Sequence, residues 1–255
     1  MACRYRTKGL VLKEEDKGEA DRFFTLYTKD FGKIRVLGKA IRKIKSKLRG
    51  GIRFFSFSEI EFVRGKVYNT LTEAVVIKRF ENIKANLGKI ATAYQIVNLV
   101  DRLIKGEEKD ENIWSLLEEV FENLDIENLD IDSSLEFDNQ FFDLSVLRPK
   151  RMEIYYCFLW NLLSILGYRI NLYRCSFCRK KIENRKRYYN QEEGVICGEC
   201  FSKIGKGNEI SFEAVKVLHI FLKRDWQTVL KLKISKNCEK SLNLISRNLE
   251  SLASQ

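Results

Sequence analysis

Two Cys-x-x-Cys pairs, Cys175 with Cys178 and Cys197 with Cys200, stand 18 residues apart, and nothing else in the chain restricts its fold as tightly. Each pair is a knuckle that aims two thiolates at one point. Two knuckles complete a tetrahedron around a metal at about 2.3 Å per Zn–S bond. The spacing falls inside the range of a zinc ribbon. Four thiolates leave no open position for water or substrate, so the pattern predicts one structural Zn2+ ion. Two unrelated Cys-x-x-Cys pairs, or redox dithiols, are the competing reading. Cys3, Cys157 and Cys238 stand alone, and Cys157 and Cys238 fall in apolar helical patterns that suit a small buried hydrophobe. The stretch between the knuckles holds Arg179, Lys180, Lys181, Arg185, Lys186 and Arg187. A solvated loop and a DNA contact both explain those charges.

Upstream, residues 5–77 read as short strands broken by turns, at 7–13, 22–28, 33–37, 54–63 and 68–77. Ile34 and Val36 alternate with Lys33 and Arg35, and Ile60 and Phe62 with Glu59 and Glu61, the period-2 pattern of a strand with one dry face. Five short antiparallel strands in this length predict a small barrel of the OB type. From Glu81 the period turns helical. Ile83, Leu87, Ile90, Tyr94 and Val97 form one predicted stripe, and Ile113, Leu116, Leu117, Val120, Phe121 and Leu124 a second. Residues 125–145 are acidic and irregular. The single proline, Pro149, precedes a helix that Gly167 should end, Ser211 is placed as a helix N-cap, and Leu242, Ile245, Leu249 and Leu252 mark a last helix. The fold class is therefore α+β: a barrel over 1–80, a helical domain over 81–170 and 208–255, and a four-cysteine finger inserted at 171–207.

Charge locates the second candidate site. Residues 1–80 hold 20 Lys and Arg against 9 Asp and Glu, net +11, whereas residues 81–150 come to −9. Nine of the cations lie in one run: Lys33, Arg35, Lys39, Arg42, Lys43, Lys45, Lys47, Arg49 and Arg53, with no acid between Asp30 and Glu59. The centre of the run reads as a flexible loop with too few apolar residues to join a core. Such a run beside a barrel face suits a groove that tracks a phosphate backbone. Tyr27, Phe31, Phe54, Phe57 and Tyr68 lie near enough to stack on bases, although aromatics at alternating strand positions are more often core.

What is missing bounds the function classes. No window approaches the roughly 18 apolar residues of a membrane-spanning helix, and MACRYRTKG carries no signal-peptide pattern, so the chain is expected in the cytoplasm, with the nucleoid. No phosphate-cradling glycine motif is present, and the one histidine, His219, sits in an apolar helical stretch where a core or interfacial role is expected. Pairs such as Glu118 with Glu119 lie in charged surroundings and read as solvated faces. The chain is not expected to be an enzyme.

The motifs at residues 9–13 (GLVLK), 18–22 (GEADR), 25–28 (TLYT), 32–36 (GKIRV), 46–50 (SKLRG) and 71–74 (LTEA) fall in a specific order. They continue at Ala93 and Tyr94, 99–103 (LVDRL), 162–168 (LLSILGY) and 194–197 (GVIC). In this series the chain resembles the bacterial recombination mediators called RecO. The resemblance runs through most of the chain, and the cysteine module occupies the place where many members carry theirs. It implies an N-terminal OB fold, a helical domain and an inserted zinc finger. It also implies binding of single- and double-stranded DNA, annealing of complementary strands, partnership with RecR and contact with single-strand-binding protein, so that RecA is loaded during repair. The alternative is an RNA-binding zinc-ribbon factor of translation or transcription.

Overall fold

A computed structural model describes residues 3–127, 152–168, 171–182, 186–190 and 194–253. The acidic stretch beyond residue 127, Pro149, Arg185 and the side chain of Leu252 lie outside the described residues. The chain divides into two compact units, Met1–Met152 and Glu153–Gln255. The helical segment expected to run from 81 to 170 is thus divided, its first three helices belonging with the barrel.

In the first unit, five strands close a barrel in the order β1-β2-β3-β5-β4. Strand β1 (Arg4–Lys17) is the longest and pairs antiparallel with β2 (Asp21–Thr28) on one edge and with β4 (Ser56–Val63) on the other. The register slips between Val11 and Lys13, a bulge that bends the strand. Strand β3 (Gly32–Gly38) pairs antiparallel with β2, and β5 (Asn69–Arg79) with β4. An all-antiparallel sheet was expected, but β3 meets β5 in parallel, Val36 opposite Asn69 and Leu37 opposite Thr70. That pair closes the barrel between strands distant in sequence. The alternation holds: Ile34, Val36, Ile60 and Phe62 are buried with Phe24 and Leu26, while Arg35 is exposed and Lys33, Glu59 and Glu61 are partly so.

Helices α1 (Glu81–Lys84), α2 (Leu87–Leu103) and α3 (Glu111–Asp125) pack on this barrel. Phe57 meets Trp114 and Phe121, and Phe80 meets Phe121, at ring centroids 5.3–5.9 Å apart. The turn into β3 needs Gly32: its φ is +61°, and a Cβ there would overlap the Glu108 backbone. The predicted 83–97 stripe is corrected. Asn86 adopts an extended conformation, and its side chain accepts from Lys89 N, capping a new helix. Ile83 therefore belongs to α1, and the buried face of α2 runs through Ala93, Ile96, Val97, Leu99, Val100 and Leu103. In α3 all six predicted apolar positions are buried.

The second unit holds α4 (Met152–Ile165), a three-stranded sheet ordered β7-β6-β8, and four further helices. The strands are β6 (Arg187–Asn190), β7 (Gly194–Cys197) and β8 (Asn208–Ile210), so the cysteine module continues past the expected boundary at 207. Helix α5 (Gly198–Ile204) follows β7, then come α6 (Phe212–Lys223), α7 (Trp226–Val229) and α8 (Lys236–Ala253). Ser211 caps α6 by accepting from Ala214 N, as predicted, and Gly167 follows α4 at φ +94°. Cys157 and Cys238 are fully buried, and Leu242, Ile245 and Leu249 face the core. Of the core or interfacial roles expected for His219, the core one does not hold: it is exposed on α6, with its ring edge-on to Tyr173 at 6.1 Å. Among the described residues no helix is long and apolar enough to cross a membrane.

Candidate metal centre and nucleic-acid interface

The first knuckle is a tight turn. Arg179 N donates to Cys175 O at 2.9 Å and Cys175 N to Lys180 O at 3.0 Å, with Arg179 in the left-handed region at φ +62°. The second is built differently: Cys197 ends β7 and forms the N-cap of α5, and Cys200 lies in that helix's first turn. Ser176 N donates to Val195 O at 2.8 Å and ties the two knuckles together. The four Sγ atoms lie within 4.8 Å of one another, and those of Cys178 and Cys197 are 3.8 Å apart. A tetrahedron with about 2.3 Å metal–sulfur bonds has edges of about 3.8 Å, so the four cysteines can hold a metal ion.

The thiols are not equivalent. Burial favours the neutral form of Cys175, but backbone N–H groups of Cys178, Cys197 and Phe177 donate to its sulfur and bring it down to about 6. Burial among the other three thiols pushes Cys200 up to about 12. One sulfur is thus prepared as a thiolate by the backbone, while another depends on a cation to deprotonate it.

The basic residues of the module divide. Lys180 lies 3.7 Å from Glu199 and Lys186 3.9 Å from Glu209, both exposed pairs. Arg187 is buried; its Nη2 donates to Ile182 O at 2.6 Å, and its guanidinium lies 5.3 Å from the Phe212 ring centroid. It is core to the module, neither a solvated cation nor a surface contact.

In the barrel, the run of nine cations also separates into two groups. Lys33 stands apart from the other cations of the run. Its Nζ donates to the Asp101 carbonyl at 2.6 Å, lies 3.3 Å from the same residue's carboxylate, and leaves the side chain only 19% exposed. It tethers β3 to α2. Arg35 pairs with Glu15 at 2.8 Å, and Arg42 with Asp16 at 3.3 Å. Arg22 is held beside them by Glu14 and Asp16, and Arg22 lowers the Asp16 carboxyl below its usual range. The acids 14–16 at the end of β1 therefore neutralise the part of the surface next to the β1–β2 turn. Lys39, Lys43, Lys45, Lys47, Arg49 and Arg53 are exposed and have no ion-pair partner among the described residues.

The segment carrying these six is not the loose loop expected. Ala40 N donates to Asp21 Oδ1 at 2.7 Å and Arg42 N to Ala20 O at 3.0 Å, so its start is bonded to the β1–β2 turn. Ile41 and Ile52, each 4% exposed, enter the barrel core, with Leu48 packed against it. A one-turn 3-10 helix (Lys47–Gly50) follows, and Gly51 lies so close to Ala74 that a Cβ would overlap the Ala74 carbonyl. The segment is a strap fixed at both ends, with Ile44 standing out from it at 90% exposure. Sequence reasoning missed this because the anchors are single apolar residues without a period.

Of the five aromatics considered for stacking, Tyr27 and Phe57 are buried, Phe31 and Phe54 are partly buried against the core, and only Tyr68 is exposed. Tyr27 donates its hydroxyl to the Asp110 carbonyl at 3.3 Å, and burial raises its pKa to about 12.

Comparison with known proteins agrees with this architecture. Residues 1–80 match the family described as Recombination protein O N terminal, and residues 144–248 match Recombination protein O C terminal. A DNA repair protein RecO of Dehalococcoides mccartyi is 30% identical over 244 residues, 95% of this chain and 88% of the relative. The proteins of that name from Thermoanaerobacter sp. and Desulforamulus reducens are 26% and 25% identical, over 90% and 96% of this chain and 84% and 87% of theirs. With 30% identity to the Dehalococcoides protein over 95% of the chain, and family models matching residues 1–80 and 144–248, the chain belongs to the RecO family.

Proposed function

We propose that the protein is a DNA-binding recombination mediator that takes single- and double-stranded DNA on the strap and anneals complementary strands. The observation that carries the reading is the group of six exposed cations without carboxylate partners, held on a strap anchored in the barrel core. Cations already paired gain little from a phosphate, whereas unpaired ones release condensed counterions from the polyanion. Annealing then needs no catalytic side chain. A cationic surface that holds two strands screens their repulsion, and base pairing supplies the free energy. Family membership supports RecR as partner and single-strand-binding protein as contact, with RecA loaded as the outcome. It also favours DNA over the RNA of the alternative reading.

Zinc is the proposed occupant of the four cysteines. The all-sulfur donor set and the S···S distance suit it, and the ion would cross-link the two knuckles.

The test is annealing of complementary oligodeoxynucleotides at rising salt, with unlabelled DNA or RNA as competitor. Acceleration that fades with salt, and that DNA outcompetes, is expected. No acceleration at low salt, or preferential competition by RNA, would overturn the reading.

A further inference from the structure

We propose that the β4–β5 turn carries a base-stacking subsite for single-stranded DNA, in which the Tyr68 ring takes a base and the Lys17 ammonium an adjoining phosphate. This rests on the DNA reading above and adds to it a second kind of contact, one that phosphate charge does not supply.

Among the described residues of the barrel Tyr68 is the only exposed aromatic, at 44%, and its hydroxyl has no hydrogen-bond partner there. Its position is fixed from below. Gly65 N donates to Tyr68 O at 3.1 Å, Asn69 is the first residue of β5 in register with Val36, and the Phe23 ring meets Tyr68 at 5.1 Å and 62°. A ring fixed in this way loses little freedom when a base stacks on it.

Two cations accompany the rings. Lys17 Nζ lies 4.0 Å from the Tyr68 centroid and 4.8 Å from that of Phe23, and Lys17 has no carboxylate partner among the described residues. The Arg35 guanidinium lies 4.1 Å from the Phe23 centroid. A lysine held only by ring faces can move to a phosphate and free a face for a base. The turn also exposes Arg64, Lys66 and Val67, so the ring stands among groups that suit a strand of nucleic acid.

The subsite adjoins the strap. Lys17 ends β1, and the turn after it accepts Arg42 N at Ala20 O and the Arg42 guanidinium at Gly18 O (3.2 Å). One β1–β2 turn therefore borders both the cations for the backbone and the ring for a base. A duplex keeps its bases stacked inside and cannot use the ring, so Tyr68 favours single strands.

The experiment compares the full-length protein with Tyr68→Ala and Tyr68→Phe on three ligands: a single-stranded oligodeoxynucleotide, an abasic oligonucleotide of equal length, and a duplex. Tyr68→Ala should weaken binding to the base-bearing single strand by roughly 5- to 150-fold, the range for one lost stack, at an unchanged salt slope. Affinity for the abasic strand and the duplex should stay put. Tyr68→Phe should bind like the wild type, because the hydroxyl has no partner. Lys17→Ala should instead lower the salt slope by about 0.7. If wild type binds base-bearing and abasic strands equally, the subsite is overturned whether or not Tyr68→Ala folds. The same holds if Tyr68→Ala loses both ligands alike. Wild type without salt-dependent binding to any of the three would overturn the DNA reading itself.

Discussion

Cys197 ends β7, occupies the N-cap position of α5, and places its Sγ 3.8 Å from that of Cys178 while its N–H donates to Cys175 Sγ at 3.4 Å. The purified protein should carry about one zinc per chain, and Cys197→Ser should lose it. Metal and local folding are coupled. The variant should therefore become protease-sensitive around residues 171–210 while the barrel unit still melts as before. Metal analysis and limited proteolysis check this; a stoichiometric metal in the variant would contradict it. Acid should act in the same direction. Cys175 has its pKa lowered in the folded state, to about 6, so its thiolate is favoured above that value and lost as pH falls through it. Protons compete with the metal for all four sulfurs, so zinc retention should fall as pH falls. The clustering of the four cysteines was legible from spacing alone, because a knuckle is a local structure. Arg187 was not: nothing near it in sequence separates a buried arginine from its exposed neighbours, and only its place in the β6 register and the cover of Phe212 bury it.

At the scale of elements, the strands were legible from period-2 alternation, and their ends shifted by a few residues. The parallel β3–β5 closure was not, since no local pattern encodes a pairing between Val36 and Asn69. The strap is a similar case, and it sorts charge from anchorage along one segment. Replacing Lys43, Lys45 and Lys47 together by alanine removes three exposed cations and no packed atoms. If the six unpaired cations meet phosphates, log affinity for single strands should fall with log salt at a slope near −4, and the triple variant should flatten it by about 2. Its melting temperature should hardly move. Ile41→Ala should do the reverse: it opens a cavity in the barrel core worth about 2–5 kcal/mol and lowers the melting temperature, without changing the number of phosphate contacts. Salt titrations and thermal melts of the two variants separate charge from scaffold. A triple variant that keeps the wild-type slope would move the DNA site off the strap.

Over the whole chain, the basic head and the acidic segment that follows it are not simply juxtaposed blocks. Within the first unit they are stitched together by Lys33 with Asp101, Arg64 with Glu107 and Lys78 with Glu122 at 2.6 Å, so part of the negative charge is spent on holding helices to the barrel. The remaining carboxylates would repel a polyanion. Glu118 and Glu119 lie on α3, partly exposed, and Glu119 also accepts from Ser115 at 3.3 Å. With the fold intact, charge-reversing both to lysine should leave DNA affinity unchanged or raise it at low salt. The gain should fade once the Debye length drops below about 10 Å. Circular dichroism and binding at two salt concentrations test it. A marked loss of affinity with the fold intact would mean that DNA runs along α3, and that the polarity of the chain does not mark its binding face.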